Sequence, residues 1–200
     1  MVILYEVHNG LYVNMTNKCP CRCTFCLRQT RDEMEGSGSL WLEREPSVDE
    51  IKAEFDKFDM SKYEEVVFCG FGEPTERLDD LLETAKYVKE KFGSRIRINT
   101  NGLSDLIYGK DTAPLLEGRI DTVSISLNTP NKQRYYELTR NRFGIDAFDA
   151  MLKFAENAKK YVDKVVMTTV ATTLTAEEEK ECAEICEKLG VTYRIRPWED

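Results

Sequence analysis

After an opening hairpin, segments of strand character and segments of helical periodicity alternate six times along the 200-residue chain, and this alternation most constrains its fold. Strands joined by helical crossovers lie parallel, because a helix-length connection carries the chain back to the same end of the sheet. The expected class is α/β: a partial (β/α)6 TIM-like barrel, preceded by a short N-terminal β-hairpin strand. A flat doubly wound sheet is the rival, since periodicity does not separate a curved sheet from a twisted one. No repeat or linker interrupts the pattern, so residues 1–200 are expected to form a single core domain.

Taken in order, Val2 to Val7 and Leu11 to Thr16 are expected strands around His8-Asn9-Gly10, where Asn-Gly supplies the positive backbone angles of a tight turn. Glu35 to Ser39 is a Gly/Ser stretch expected to be mobile. Ser47 and Glu50 form a capping box for a helix from Val48 to Phe58. A strand from Glu65 to Gly70 precedes a helix from Leu78 to Phe92, whose Leu78, Leu81, Leu82, Ala85 and Val88 share one face. Strands follow at Arg95 to Thr100, Ile120 to Leu127, Lys164 to Ala171 and Val191 to Ile195. Helical stretches are expected at Ala113 to Glu117, after Thr129-Pro130, from Asp146 to Tyr161, and after Thr175.

Every chemically suggestive turn follows a strand: the cysteine loop, GFGEP, NTNG, SLN and the terminal RPW. In β/α architectures the carboxyl ends of the strands carry the active site, so these five turns are expected around one cavity. The cysteine loop is the most specific of them. TNKCPCRCTFCLRQ places four of the seven cysteines within eight residues. Cys19, Cys23 and Cys26 are separated by three and two residues, a run able to set three thiolates on three corners of an iron-sulfur cube and leave the fourth iron open to a ligand. Cys21 is the alternative fourth corner, although it would crowd the loop. Structural zinc lacks a second ligand pair, and a disulfide framework does not suit an odd cysteine count.

This loop resembles that of the radical SAM superfamily, whose members hold a [4Fe-4S] cluster with Cys-x3-Cys-x2-Cys and bind S-adenosylmethionine (SAM) at the open iron. The resemblance implies Cys19, Cys23 and Cys26 as metal ligands and Phe25 as the aromatic before the last of them. It also implies that Gly70, Gly72, Glu73 and Pro74 form the turn that holds the SAM amino group, with Phe71 standing where relatives carry glycine. Asn99, Ser126 and Asn128 fall where relatives touch the ribose or carboxylate of SAM. More narrowly, the cysteine loop, SLWLEREP, GEPT and NTNGL are similar to those of the TatD-associated radical SAM proteins. No adenine-binding motif after the fifth strand and no large C-terminal domain are apparent.

Alternation in the strands adds three arginines to this set. Arg97 and Asn99 lie opposite Ile96 and Ile98, Ser124, Ser126 and Asn128 alternate with apolar neighbours, and Arg194 and Arg196 share a face. Buried charge needs a partner, so at least one of Arg97, Arg194 and Arg196 is expected to face a carboxylate or phosphate of SAM or substrate. An internal salt bridge or exposure to water is the alternative. Cys182, Cys186 and Cys69 are expected to be structural, and His8, the only histidine, to be a surface residue.

Composition limits the partners. A net charge of −8 disfavours extended nucleic-acid binding but leaves room for a small anionic substrate in a local basic pocket. No apolar run approaches the roughly 20 residues of a membrane span and no secretory leader is apparent, which points to the cytoplasm. The expected function is reductive cleavage of SAM, giving a 5′-deoxyadenosyl radical that abstracts hydrogen from a small substrate. The cluster's electron donor would be a protein such as flavodoxin or ferredoxin. Two alternatives stand beside it: an activase of a glycyl-radical partner protein, which would complete the cavity and dock on an apolar rim near Trp41 and Trp198, and a non-catalytic redox or metal-binding module.

Overall fold

The computed structural model describes residues 1–198. Its contacts divide the chain into two units: Met1–Cys19, Phe25–Asn99 and Gly118–Asp121 form the first, and Pro20–Thr24, Thr100–Glu117 and the chain from Thr122 form the second.

In the first unit β1 (Leu4–Val7) and β2 (Gly10–Val13) make an antiparallel hairpin, and β2, β3 (Glu65–Phe68) and β4 (Arg95–Thr100) run parallel in that order. β1, β2 and β3 are shorter than the sequence suggests, whereas β4 has its expected bounds. Val7 pairs with Gly10, so the hairpin turn is His8-Asn9; His8 takes the positive φ of 50° and Gly10 belongs to the strand. Val66, Val67 and Phe68 are all buried, as expected of a parallel strand covered on both faces. Helix α1 (Val48–Phe55) starts at the Ser47/Glu50 capping box and stops three residues early. Helix α2 (Leu78–Phe92) matches its expected bounds, buries the apolar stripe, and ends at Gly93 with φ 67°. The Glu35–Ser39 stretch is a hydrogen-bonded turn, in which the Met34 amide donates to the Ser37 hydroxyl at 3.1 Å and the Ser37 amide to the Met34 carbonyl at 2.9 Å.

The second unit holds α3 (Ser104–Tyr108), which the sequence did not announce, and the 3-10 turn Ala113–Leu116. Strands β5 (Thr122–Ser126), β6 (Lys164–Val170) and β7 (Thr192–Arg196) run parallel in that order, with α4 (Lys132–Thr139), α5 (Ala147–Ala158) and α6 (Ala176–Leu189) between them. Helix α4 does not begin at Thr129-Pro130: Asn131 is its cap and accepts the Arg134 amide at 2.9 Å, while Thr129 takes the Asn131 amide in the preceding turn. Thr175 and Glu178 form the capping box of α6. Among the described residues no helix is long and apolar enough to cross a membrane.

Candidate active site

The first unit joins the cysteine loop to the GFGEP turn. Beyond β2, Asn14 is buried and its amide nitrogen donates to the Val2 and Leu40 carbonyls at 3.1 and 2.8 Å, while its Oδ1 is buried without a partner. The SLWLEREP segment supports the chain that follows. Asn17 and Leu42 exchange hydrogen bonds at 2.7 and 3.1 Å, and Glu45 accepts from the Thr16 hydroxyl at 2.7 Å and from Lys18 Nζ at 3.1 Å. Burial pushes the Glu45 carboxyl up, but the hydrogen bonds from Thr16 and Lys18 outweigh it and hold the group below its ordinary range.

The turn packs directly on this support. The Glu73 amide donates to the Lys18 carbonyl at 2.8 Å, and a Cβ on Gly72 would stand 2.6 Å from that oxygen and closer still to the carbonyl of Thr16. A Cβ on Gly70 would meet Asn14, with Cγ at 2.9 Å. Only glycine permits both approaches. Glu73 is buried, and its carboxylate accepts the Thr75 amide and hydroxyl at 3.1 and 2.7 Å, capping the 3-10 turn Pro74–Arg77. Pro74 is buried at the head of that turn.

Phe71, the departure from the glycine of relatives, is buried in a cluster with Tyr5, Val7 and Leu40, and meets Trp41 edge-on at 5.1 Å. Its ring is absorbed by the core, and its carbonyl accepts Arg28 Nη1 at 3.1 Å. Trp41 is committed on several sides: its indole N–H bonds Asp32 at 3.0 Å, and the Arg28 guanidinium stands 6.0 Å from its ring centre. Arg28 and Asn14 were not singled out by motif. For Asn14 a signal existed, a polar residue within the apolar run Leu11, Val13, Met15; for Arg28 nothing in the sequence marks the tie.

Cys19 and Cys26 lie in the first unit and Cys23 in the second, all three partly exposed; Phe25 is half-buried in the first unit. Cys21, in the second unit, is turned inward, and its Sγ takes the Asn101 side-chain amide at 3.8 Å. Among the described residues no three His, Cys, Asp or Glu side chains are gathered as a single-ion site. A cube-shaped cluster instead places each thiolate on a separate iron, and partly exposed thiols on one short loop suit that demand.

Of the polar strand residues, Asn99 is half-buried with a buried Oδ1 lacking a partner. Arg97 takes the internal pairing: its guanidinium stands 2.8 Å from Glu65 and 3.3 Å from the Tyr12 hydroxyl. Burial raises the Tyr12 phenol above its ordinary range against the opposing charge of Arg97. In the second unit Ser126 ends β5 half-buried, and Asn128 is buried in a left-handed conformation at φ 66°, its side-chain amide donating to the Ser126 carbonyl at 3.3 Å. Arg194 is exposed, whereas Arg196 is half-buried with a buried Nε that has no partner. Cys182 and Cys186 are buried in α6, and burial pushes their thiols up to about 12 and about 11.

The model of the Radical SAM superfamily matches residues 13–189. The chain belongs to that superfamily. It is 31% identical over 136 residues to the GTP 3′,8-cyclase of Lactiplantibacillus plantarum, covering 68% of this chain and 38% of that protein. It is 34% identical over 154 residues to the Fe-coproporphyrin III synthase of Methanosarcina barkeri, covering 76% and 34% respectively. The chain thus spans well under half the length of these relatives. Among solved structures, Streptococcus suis SuiB bound to its precursor peptide SuiA superposes with a TM-score of 0.70 at 17% identity, over 98% of this chain and 40% of that one. That likeness shows the fold, the partial (β/α)6 TIM-like barrel of radical SAM proteins. Members of the superfamily are enzymes that use a [4Fe-4S] cluster and SAM, and the partly exposed thiols of the cysteine loop are of the donor type such a cluster takes.

Proposed function

We propose that residues 1–200 act as one radical SAM core domain that holds a [4Fe-4S] cluster on Cys19, Cys23 and Cys26 and binds SAM for hydrogen abstraction from a small anionic substrate. The observation that carries this reading is the seam between the two motifs: Gly72 and Glu73 pack on the carbonyls of Thr16 and Lys18, immediately before Cys19. Cys19, Cys23 and Cys26 would hold the cluster, which would supply the one electron needed for reductive cleavage of the SAM carbon-sulfur bond.

The chain's own residues bind and orient. Gly70 and Gly72 let the turn pack on Asn14 and on the Thr16 and Lys18 carbonyls, and with the Glu73 carboxylate capping Pro74–Arg77, backbone oxygens of the turn are the groups proposed for the SAM amino group. Asn99, with its unpartnered Oδ1, and Ser126 and Asn128 are the contacts proposed for the ribose or carboxylate. Of the three arginines, Arg196 is favoured for a carboxylate or phosphate, because a buried guanidinium N–H without a partner costs free energy until a ligand accepts from it. The relatives named for GTP act on a small anion, which agrees with this substrate class. The narrower reading, a TatD-associated radical SAM protein, is supported by the cysteine loop, SLWLEREP, GEPT and NTNGL, of which SLWLEREP braces the chain before Cys19.

The test is anaerobic. After cluster reconstitution, SAM and dithionite are expected to yield 5′-deoxyadenosine with wild-type protein and none with Cys23→Ala. Failure of the wild-type chain to bind iron would overturn the reading.

A further inference from the structure

Three backbone hydrogen bonds lay the cysteine-loop segment of the second unit alongside the end of α4. The Arg22 amide donates to the Thr139 carbonyl at 2.8 Å, the Thr24 amide to Leu138 at 2.9 Å, and the Arg142 amide to Pro20 at 2.9 Å. This bracket brings Arg22 beside Arg140 and Arg142, and all three are exposed. Asn141 between the last two is buried, its amide nitrogen on Thr139 Oγ1 at 3.1 Å and its Oδ1 taking the Phe143 amide at 3.0 Å, so the arginines on either side of it stand outward. Arg140 closes α4 in a left-handed conformation at φ 44°.

Neither Arg22 nor Arg140 has a carboxylate within ion-pair distance among the described residues. Elsewhere in the unit Lys132 pairs with Asp146 and Asp149, Arg134 with Glu178, and Lys153 with Glu156. A chain of net charge −8 therefore gathers exposed arginines on the backbone that carries Cys23. Exposed arginines on adjoining backbone make this face more positive than the chain as a whole.

We propose that Arg22, Arg140 and Arg142 form the docking face for an acidic one-electron carrier protein that reduces the cluster. The arginines project from an open surface, which suits a broad acidic face and not a small ion. The nearby groove of about 580 Å³ that starts at Thr24 and Leu138 continues to Gln133 and to Arg134, already neutralised by Glu178, so it offers no anion site. Charge complementarity of this kind sets association rate and salt dependence. One electron leaves the reduced carrier, which is oxidised, and arrives at the cluster, with no other group transferred. The inference rests on Cys23 being a cluster ligand.

The probe is a purified acidic flavodoxin, with the positively charged cytochrome c as charge-reversed control. Wild-type protein is expected to bind flavodoxin with an affinity that falls steeply with salt, and Arg22→Glu/Arg140→Glu to bind about tenfold or more weakly. Arg22→Gln/Arg140→Gln, a milder change should the reversal disturb folding, is expected to lie between, and Lys153→Glu to bind like wild type. Flavodoxin-supported formation of 5′-deoxyadenosine should fall in the same order, while dithionite-supported formation stays level. Equal, salt-indifferent flavodoxin binding by wild type and both double variants would overturn the docking face, as would preferential binding of cytochrome c. Loss of dithionite-supported cleavage in wild type would instead overturn the radical SAM reading, and the binding comparison would still decide the face.

Discussion

Glu73 and Lys18 are joined by a 2.8 Å hydrogen bond from the amide of one to the carbonyl of the other. The bond ties the GFGEP turn to the residue before Cys19, so the two motifs hold each other in place, and damage to either should be felt at both.

Gly72→Ala is the most direct probe of that seam. Its methyl group would collide with two backbone carbonyls, which cannot rotate aside as a side chain can. A loss of about 2 kcal/mol or more is expected, together with weakened SAM binding. Urea unfolding of the apoprotein and equilibrium dialysis of SAM measure the two effects separately; wild-type values in both would mean the turn has slack that the structure does not show.

Phe71 separates stability from binding. Removing a buried aromatic ring from the cluster with Tyr5, Val7 and Leu40 should cost about 3 kcal/mol in Phe71→Ala. Below the lowered melting temperature, SAM affinity should stay close to wild type, because the contacts proposed for the turn use backbone oxygens. Calorimetry beside SAM titration at low temperature checks this, and abolished binding by a folded variant would assign the ring a direct role.

Arg97 and Arg196 should behave differently. Arg97 already faces Glu65, so Glu65→Gln is expected to cost on the order of 1 kcal/mol, softened by the partial exposure of Glu65, and to leave the KM for SAM unchanged. Arg196→Lys, at a guanidinium with a buried unpartnered Nε, should raise the KM for SAM or substrate severalfold with little change in melting temperature. The reverse pattern would exchange the roles of the two residues.

Alkali should find the second unit through its buried thiols. Burial pushes the Cys182 and Cys186 thiols up to about 12 and about 11, above the ordinary thiol value near 8.5 that an unfolded chain regains. Their contribution is complete below that ordinary value and is lost as pH rises from it toward the folded values, because the unfolded state releases its protons first. Stability measured from pH 7 to 10 should fall, and fall less in Cys182→Ala/Cys186→Ala when each curve is referred to its own value at pH 7. Iron content and cluster absorbance of that variant should match wild type; a loss of iron would show that these thiols serve the cluster.

Much of this protein was legible in the order of its residues. Helix α2 and strand β4 were found to the residue because an amphipathic stripe, a glycine stop and an alternating run each act within one segment. The capping boxes at Ser47 and Thr175, and the cysteine spacing that marks the superfamily, are equally local. The start of α4 was not, since Thr129, Pro130 and Asn131 are all able to begin a helix and only the backbone decides which one caps. Strand register set Arg97 beside Glu65, a partner 32 residues distant, and chain packing buried the ring of Phe71 and closed Gly72 onto Thr16 and Lys18. The sequence by itself determined the superfamily to which the chain belongs and the α/β order of its elements, because both are written in short-range spacing. Tertiary structure alone decided which polar groups are matched internally and which are left open, because that depends on neighbours that no local pattern specifies.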